Sequence, residues 1–237
     1  MKNPADEGTR MTPPPPLTPR PPRPLVIATQ NPGKVSELKR LLAEARLGDR
    51  YRVLGLDEVG GPFDEPEEGA ESFLVNATIK ATAYARLTGH WCLADDSGLE
   101  VEALNGAPGV ISSHYYSDGE DRGDGRETRD PANTARVLRE LEGVAAEERT
   151  ARFVCTMVLA NPEGETLATA RGTFEGRIGE PTKDGVPRGE GGFGYDPVFL
   201  VGPEFTLSSA ELTAAQKNGL SHRGAATREM IESLRGL

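Results

Sequence analysis

Cysteine is nearly absent from this 237-residue chain: only Cys92 and Cys155 occur, each within an apolar run. The two thiols fit small buried hydrophobes of a reducing compartment better than a disulfide framework. Long apolar runs are missing too. No stretch approaches the roughly 18–20 consecutive apolar residues of a membrane span, and no apolar signal region follows Met1. The expected location is the cytoplasm, away from any membrane. Basic charge is also in short supply: 27 Lys and Arg against 37 Asp and Glu leave a net charge of −10. That balance argues against a nucleic-acid polymer as partner. It leaves room for a small polyanion such as a nucleotide, wherever a few cations converge and a divalent metal helps.

What is present falls into a tail and a body. Residues 1–24 are dominated by proline (MTPPPPLTPRPPRP at 11–24) and cannot pack in a core, so they are expected to be an extended or disordered tail; Met11 is an alternative start. Residues 25–237 are enough for one domain, or one two-lobed domain. The patterns predict strands at Leu25–Thr29, Tyr51–Leu56, His90–Asp95, Ala151–Ala160, Thr166–Glu175 and Val198–Leu200. They predict helices at Lys34–Ala45, Ser72–Leu87, Asn133–Leu141 and Ala225–Leu234. Ser117–Pro131, charged and rich in glycine, reads as a mobile loop. Strands alternating with helices, then a hairpin, argue an α/β fold with a mixed sheet.

Four stretches carry chemistry. In Thr29-Gln-Asn-Pro-Gly-Lys34 a strand breaks into a helix start. Asn31 suits the N-cap, Pro32 the first helical position, and Gly33 clears the space before backbone N–H groups that attract anions. Lys34 sits where a cation opposes the helix dipole, which an anion shared between the two would explain; a capped helix with a solvated lysine is the plainer reading. Asp95 and Asp96 follow an apolar strand into a turn. Two adjacent carboxylates there call for a cation, and Mg²⁺ suits them. The run 57–71 holds further acids, one of which can complete such a site. Gly189–Pro197 is a glycine-rich loop offering Phe193 and Tyr195 to a planar ring. Lys217, His222 and Arg223 crowd a junction between helical stretches, as a ligand clamp or as a solvated basic face.

Taken in order, Thr29-x-Asn31-x-x-Lys34, Ala94-Asp-Asp-Ser-Gly-Leu99, Gly106-Ala-Pro-Gly109, Gly191-Gly-Phe-Gly-Tyr-Asp-Pro197 and Ser221-His-Arg223 resemble the inosine triphosphate pyrophosphatases. These are also called non-standard purine NTP, or dITP/XTP, pyrophosphatases. The likeness runs from Leu25 to the C-terminus. It implies an elongated, two-lobed α/β domain with a cleft between the lobes, a homodimer, and Mg²⁺-dependent hydrolysis of ITP, dITP and XTP to monophosphate and pyrophosphate. By position it implies that Thr29, Gln30, Asn31, Pro32, Gly33 and Lys34 bind the triphosphate, joined by Lys80 and Ser97. Glu68, Asp95 and Asp96 would be the metal ligands, with Glu67 the alternative to Glu68, and Asp96 would also be the general base. Phe193, Gly194, Tyr195, Asp196, Lys217, His222 and Arg223 would hold the base. Two departures stand out: Val75 precedes Asn76 where relatives often carry Glu, and the charged loop 117–131 is long. The rival readings are a pyrophosphatase for pyrimidine or modified nucleotides, a catalytically silent nucleotide binder, and an adaptor working through the proline tail.

Overall fold

The computed structural model describes residues 21–69, 71–180, 189 and 191–237. Of the expected proline-rich tail only residues 21–24 fall within these. Six strands form one sheet: β1 (Arg23–Ile27), β2 (Tyr51–Gly55), β3 (Trp91–Val101), β4 (Thr150–Ala160), β5 (Thr166–Ile178) and β6 (Phe199–Val201). Their order is β2-β1-β3-β4-β5-β6. The first three run parallel, and β4, β5 and β6 join antiparallel. Among the described residues five α-helices accompany them: α1 (Pro32–Glu44), α2 (Phe73–Thr88), α3 (Arg126–Glu140), α4 (Ala214–Leu220) and α5 (His222–Gly236). The mixed sheet with flanking helices is the fold class the alternation predicts.

Alternation along the strands sorts side chains onto two faces. On one face Leu25, Ile27, Leu93, Met157 and Leu159 pack beneath α1 and α5 through Leu38, Leu42, Met230 and Leu234. On the other, Val26, Ala28, Cys92, Ala94 and Val158 meet Ala77, Ala81, Tyr84 and Ala85 of α2. Burial of a leucine such as Leu38 or Leu42 contributes roughly 1.5–3 kcal/mol. A third core, with Leu99, Val101, Phe174 and Phe199, lies farther along the same long strands. Asp95–Gly98 of β3 therefore fall between two cores, just past the point where β1 stops pairing with β3 at Leu93.

Two predicted elements differ. The strand expected to end at Asp95 continues to Val101, because β3 pairs with β4 without interruption from Cys92↔Ala160 to Val101↔Ala151. Asp95 and Asp96 are thus mid-strand residues, not turn residues. The expected mobile loop 117–131 ends in helix: α3 begins at Arg126 and carries Pro131 within it. The remainder is tied down by Arg136 to Asp118 at 2.6 Å, Ser117 to the Glu120 carbonyl at 2.6 Å, and Tyr116 to Asp124.

Candidate active site

Because side chains alternate, the sheet passes between the two adjacent carboxylates. Asp95 projects onto the α1/α5 face with Leu93 and Ser97. Asp96 projects onto the α2 face with Ala94. Their mutual repulsion is eased by this separation and by the cations each one meets, Lys34 and Arg223 on one face and Lys80 on the other.

On the α1/α5 face Asp95 is almost fully buried. Lys34 Nζ reaches its Oδ2 at 2.9 Å, Arg223 Nε stands 3.5 Å from the same oxygen, and Ser97 Oγ donates to it at 2.9 Å. Burial alone would raise its pKa, but Lys34 and Arg223 outweigh that and hold the carboxyl well below its ordinary range. Arg223 also donates to Glu37 of α1 at 2.9 Å. This approach of α5 depends on Gly172 of β5, where a Cβ would lie 2.1 Å from the His222 carbonyl. His222 stacks on Phe153 at 5.2 Å. Its burial, with Arg223 beside it, pushes its pKa down to about 3, so the ring is neutral.

On the α2 face Asp96 accepts from Lys80 at 3.1 Å and from Asn76 at 3.1 Å. Lys80 also pairs with Glu68 at 2.9 Å. Burial and the charge of Glu68 raise the Asp96 pKa, with Lys80 and Asn76 opposing. Lys80 is itself desolvated, yet Asp96 and Glu68 keep it firmly protonated. Of the two candidates Glu67 and Glu68, it is Glu68 that reaches Lys80.

The turn before α1 is more self-contained than its sequence suggests. Asn31 Oδ1 accepts from Gly33 N–H at 3.0 Å and Lys34 N–H at 3.4 Å, and Asn31 N–H donates to Thr29 Oγ1 at 3.2 Å. Pro32 has no N–H to give. The helix-end donors expected to await an anion are therefore capped, and Lys34 is engaged with Asp95. What the turn still offers is the Asn31 amide nitrogen, the Thr29 hydroxyl hydrogen and the helix dipole. Gln30 turns to the Phe63 carbonyl at 2.9 Å.

The glycine-rich loop lies at the third core. Tyr195 is buried and donates to the Ser112 carbonyl at 2.8 Å, so its ring is a packing element and not a free stacking surface. Phe193 is the exposed aromatic, 51% accessible. Asp196 takes Lys217 Nζ at 2.5 Å and the Phe193 N–H at 2.8 Å. Lys217 in α4 and Arg223 in α5 thus connect this loop to the Asp95 cluster. Glu37, Asn76 and Asp130, which contacts Gly194 N–H, are site neighbours that the sequence reading passed over. Glu37 and Asn76 each carried a signal, one turn from Lys34 and Lys80 on the same helices; Asp130 carried none.

A divalent metal can be tested against these donors. Among the described residues no three His, Cys, Asp or Glu side chains gather as a ligand cluster. The expected set of Glu68, Asp95 and Asp96 is divided by the sheet. Glu68 and Asp96 do converge on one cation, Lys80, and the Asn76 Oδ1 beside them is buried without a hydrogen-bond partner. This group of hard oxygens fits a divalent ion that takes its other ligands from phosphate and water. Asp95, on the other face of the strand, also keeps a buried Oδ1 without a hydrogen-bond partner, while Lys34 and Arg223 hold its Oδ2.

Comparison with known proteins agrees in extent with this architecture. Residues 25–233 match the model of the Ham1 family. A dITP/XTP pyrophosphatase of Desulforamulus reducens is 46% identical over 90% of this chain and 96% of its own. One from Nitratidesulfovibrio vulgaris is 47% identical over 88% and 94%. The solved structure of a HAM1 protein from Coxiella burnetii superposes with a TM-score of 0.74 at 35% identity, covering 91% of this chain and all of that one.

Proposed function

The chain belongs to the Ham1 family, and from that premise we propose how its residues act. It is a nucleoside triphosphate pyrophosphohydrolase that converts non-standard purine triphosphates (ITP, dITP and XTP) to the monophosphate and pyrophosphate. The observation that carries the reading is the convergence of Lys34, Lys80 and Arg223, from three helices, on two carboxylates of one strand. In a chain of net charge −10, these three cations answer Asp95, Asp96, Glu68 and Glu37, so a polyanion enters by taking a cation from its carboxylate, with a divalent ion adding the missing positive charge.

In this reading the triphosphate meets the edge of β3 that β1 leaves open. Lys34 exchanges its Asp95 partner for phosphate oxygens, with Asn31 and Thr29 as neutral donors and the Ser97 hydroxyl turning from Asp95 to join them. Asp96, its pKa raised by burial, orients a water toward the α-phosphorus and accepts its proton. The bond to the bridging oxygen breaks, and pyrophosphate departs with its charge met by Lys80 and Lys34. Glu68 and Asp96 are the residues that would hold Mg²⁺. When bound, it lowers the pKa of water and absorbs charge on the leaving group.

Phe193 is the ring available to stack on the base. Lys217 and Arg223 supply donors only, so a 6-oxo purine satisfies them and the 6-amino group of adenine does not. A homodimer in the cytoplasm completes the proposal, and sedimentation of the full chain as a monomer would remove the dimer from it.

Pyrophosphate release with Mg²⁺ from ITP, dITP, XTP, ATP, GTP and dTTP tests the whole. Strong release from the first three and little from the others is expected. Release chiefly from dTTP, or none, would overturn it.

A further inference from the structure

We propose that Asp130 of α3, seconded by Arg126, is the positioning residue that fixes the base-facing loop. The proposal rests on the reading that Phe193–Asp196 meet the base. Gly194 sits at φ +62, and its neighbour Gly192 at φ +79. A loop with two such residues has other conformations close at hand. Lys217 and Ser112 hold Asp196 and Tyr195 on one side of Gly194, and at Gly194 itself Asp130 Oδ2 accepts the N–H at 2.8 Å. One turn further along α3, Thr134 Oγ1 faces the Gly194 carbonyl at 3.5 Å. The helix thus holds both polar ends of that residue's backbone.

Arg126, one turn before Asp130, places its guanidinium 4.8 Å from the centroid of Phe193, while Lys217 lies 5.7 Å from it. An exposed aromatic ring within cation–π reach of two cations is held in place without being packed away. Helix α3 is itself anchored. Asn133 accepts from Tyr116 N–H at 2.8 Å and donates to the Ser113 carbonyl at 3.0 Å. Tyr195 grips the same segment at Ser112. The height of Phe193 above the site is therefore set by α3, and the charged 117–131 stretch supplies the turn of helix that does it.

The test compares Asp130→Ala, Asp130→Asn and Arg126→Ala with the wild-type full chain. It measures kcat and KM for ITP and the inhibition constant of inorganic tripolyphosphate, which probes the phosphate half alone. Loss of a charge-assisted bond should raise KM for ITP roughly tenfold in Asp130→Ala. The expected kcat is nearly unchanged, and tripolyphosphate inhibition is unmoved. Asparagine keeps an acceptor oxygen and should recover most of the loss. Arg126→Ala, at an exposed position, should show the same pattern more weakly and without any effect on folding. A wild-type KM in both alanine variants, or equal weakening of ITP and tripolyphosphate, would overturn the proposal alone. A wild type that releases no pyrophosphate from ITP would overturn the reading beneath it, and the proposal with it.

Discussion

Asparagine at position 96 should give a protein that is more stable and no longer turns over substrate. Asp96 is 8% exposed, and its pKa is raised by burial and by Glu68. A folded-state pKa above the unfolded value means that this group favours folding below the unfolded pKa. That contribution is lost as pH rises through the folded one, so at pH 7 the ionised carboxylate opposes the fold. Asp96→Asn removes that charge at constant shape. Its Oδ1 can keep the Lys80 bond. Its new amide would face the Asn76 amide until Asn76 turns over, bringing the buried, unpartnered Oδ1 round to accept. Lys80→Met does the reverse. It leaves Asp96 and Glu68 facing each other without their cation, at a cost of about 3 kcal/mol, the low end for breaking a buried pair, because the Glu68 side chain is 31% exposed. The double variant should recover most of that loss. Urea unfolding at pH 7 reads the stabilities, and pyrophosphate release reads activity, where loss of a positioned base should cost about 10²–10⁴-fold in kcat. An Asp96→Asn protein less stable than wild type, or strictly additive single and double variants, would refute the electrostatic argument. Retention of most activity would refute the assignment of the base.

Lys34→Ala should raise KM for ITP by roughly 10–100-fold, the worth of a hydrogen bond to a charged group; an unchanged Michaelis constant would show that the lysine belongs to Asp95 alone. His222 should make stability fall on acidification. The unfolded ring protonates near its ordinary 6.5 and the folded one only at about 3, so between these values the unfolded state binds the extra proton. Unfolding free energies from pH 7 to 4 should decline less steeply in His222→Gln; parallel slopes would remove His222 as the source.

Much of the scaffold was legible because apolar spacing announces it: Leu38 and Leu42 on α1, Ala77, Ala81 and Tyr84 on α2, and the hairpin strands β4 and β5. Two elements hid for a common reason. Asp, Ser and Gly disfavour strands by themselves, so β3 seemed to stop at Asp95, whereas ten consecutive pairs with β4 carry it onward. The first turns of α3 contain arginines, acids and a proline, with no apolar rhythm to mark a helix. At the site, residue types were readable and partners were not. The sequence presents Lys34 as a cation awaiting an anion, and folding hands it Asp95 from a strand sixty residues away. Asn31 likewise reads as a cap, but its sequence does not reveal that the cap uses up the very amides a phosphate would seek.

The placement of Asp95 and Asp96 on opposite faces makes strand registration a part of the chemistry. A one-residue slip of β3 against β4 would exchange the two carboxylates. The acid held ionised by Lys34 and Arg223 would then face Lys80, and Asp96, the proposed proton acceptor, would turn toward α5. Composition, charge and even the apolar content of the sheet would survive such a shift almost unchanged. A single-residue insertion or deletion between Leu93 and Asp95 is therefore a more damaging lesion than many substitutions within the site, since it miswires both halves at once while leaving every functional residue in the chain.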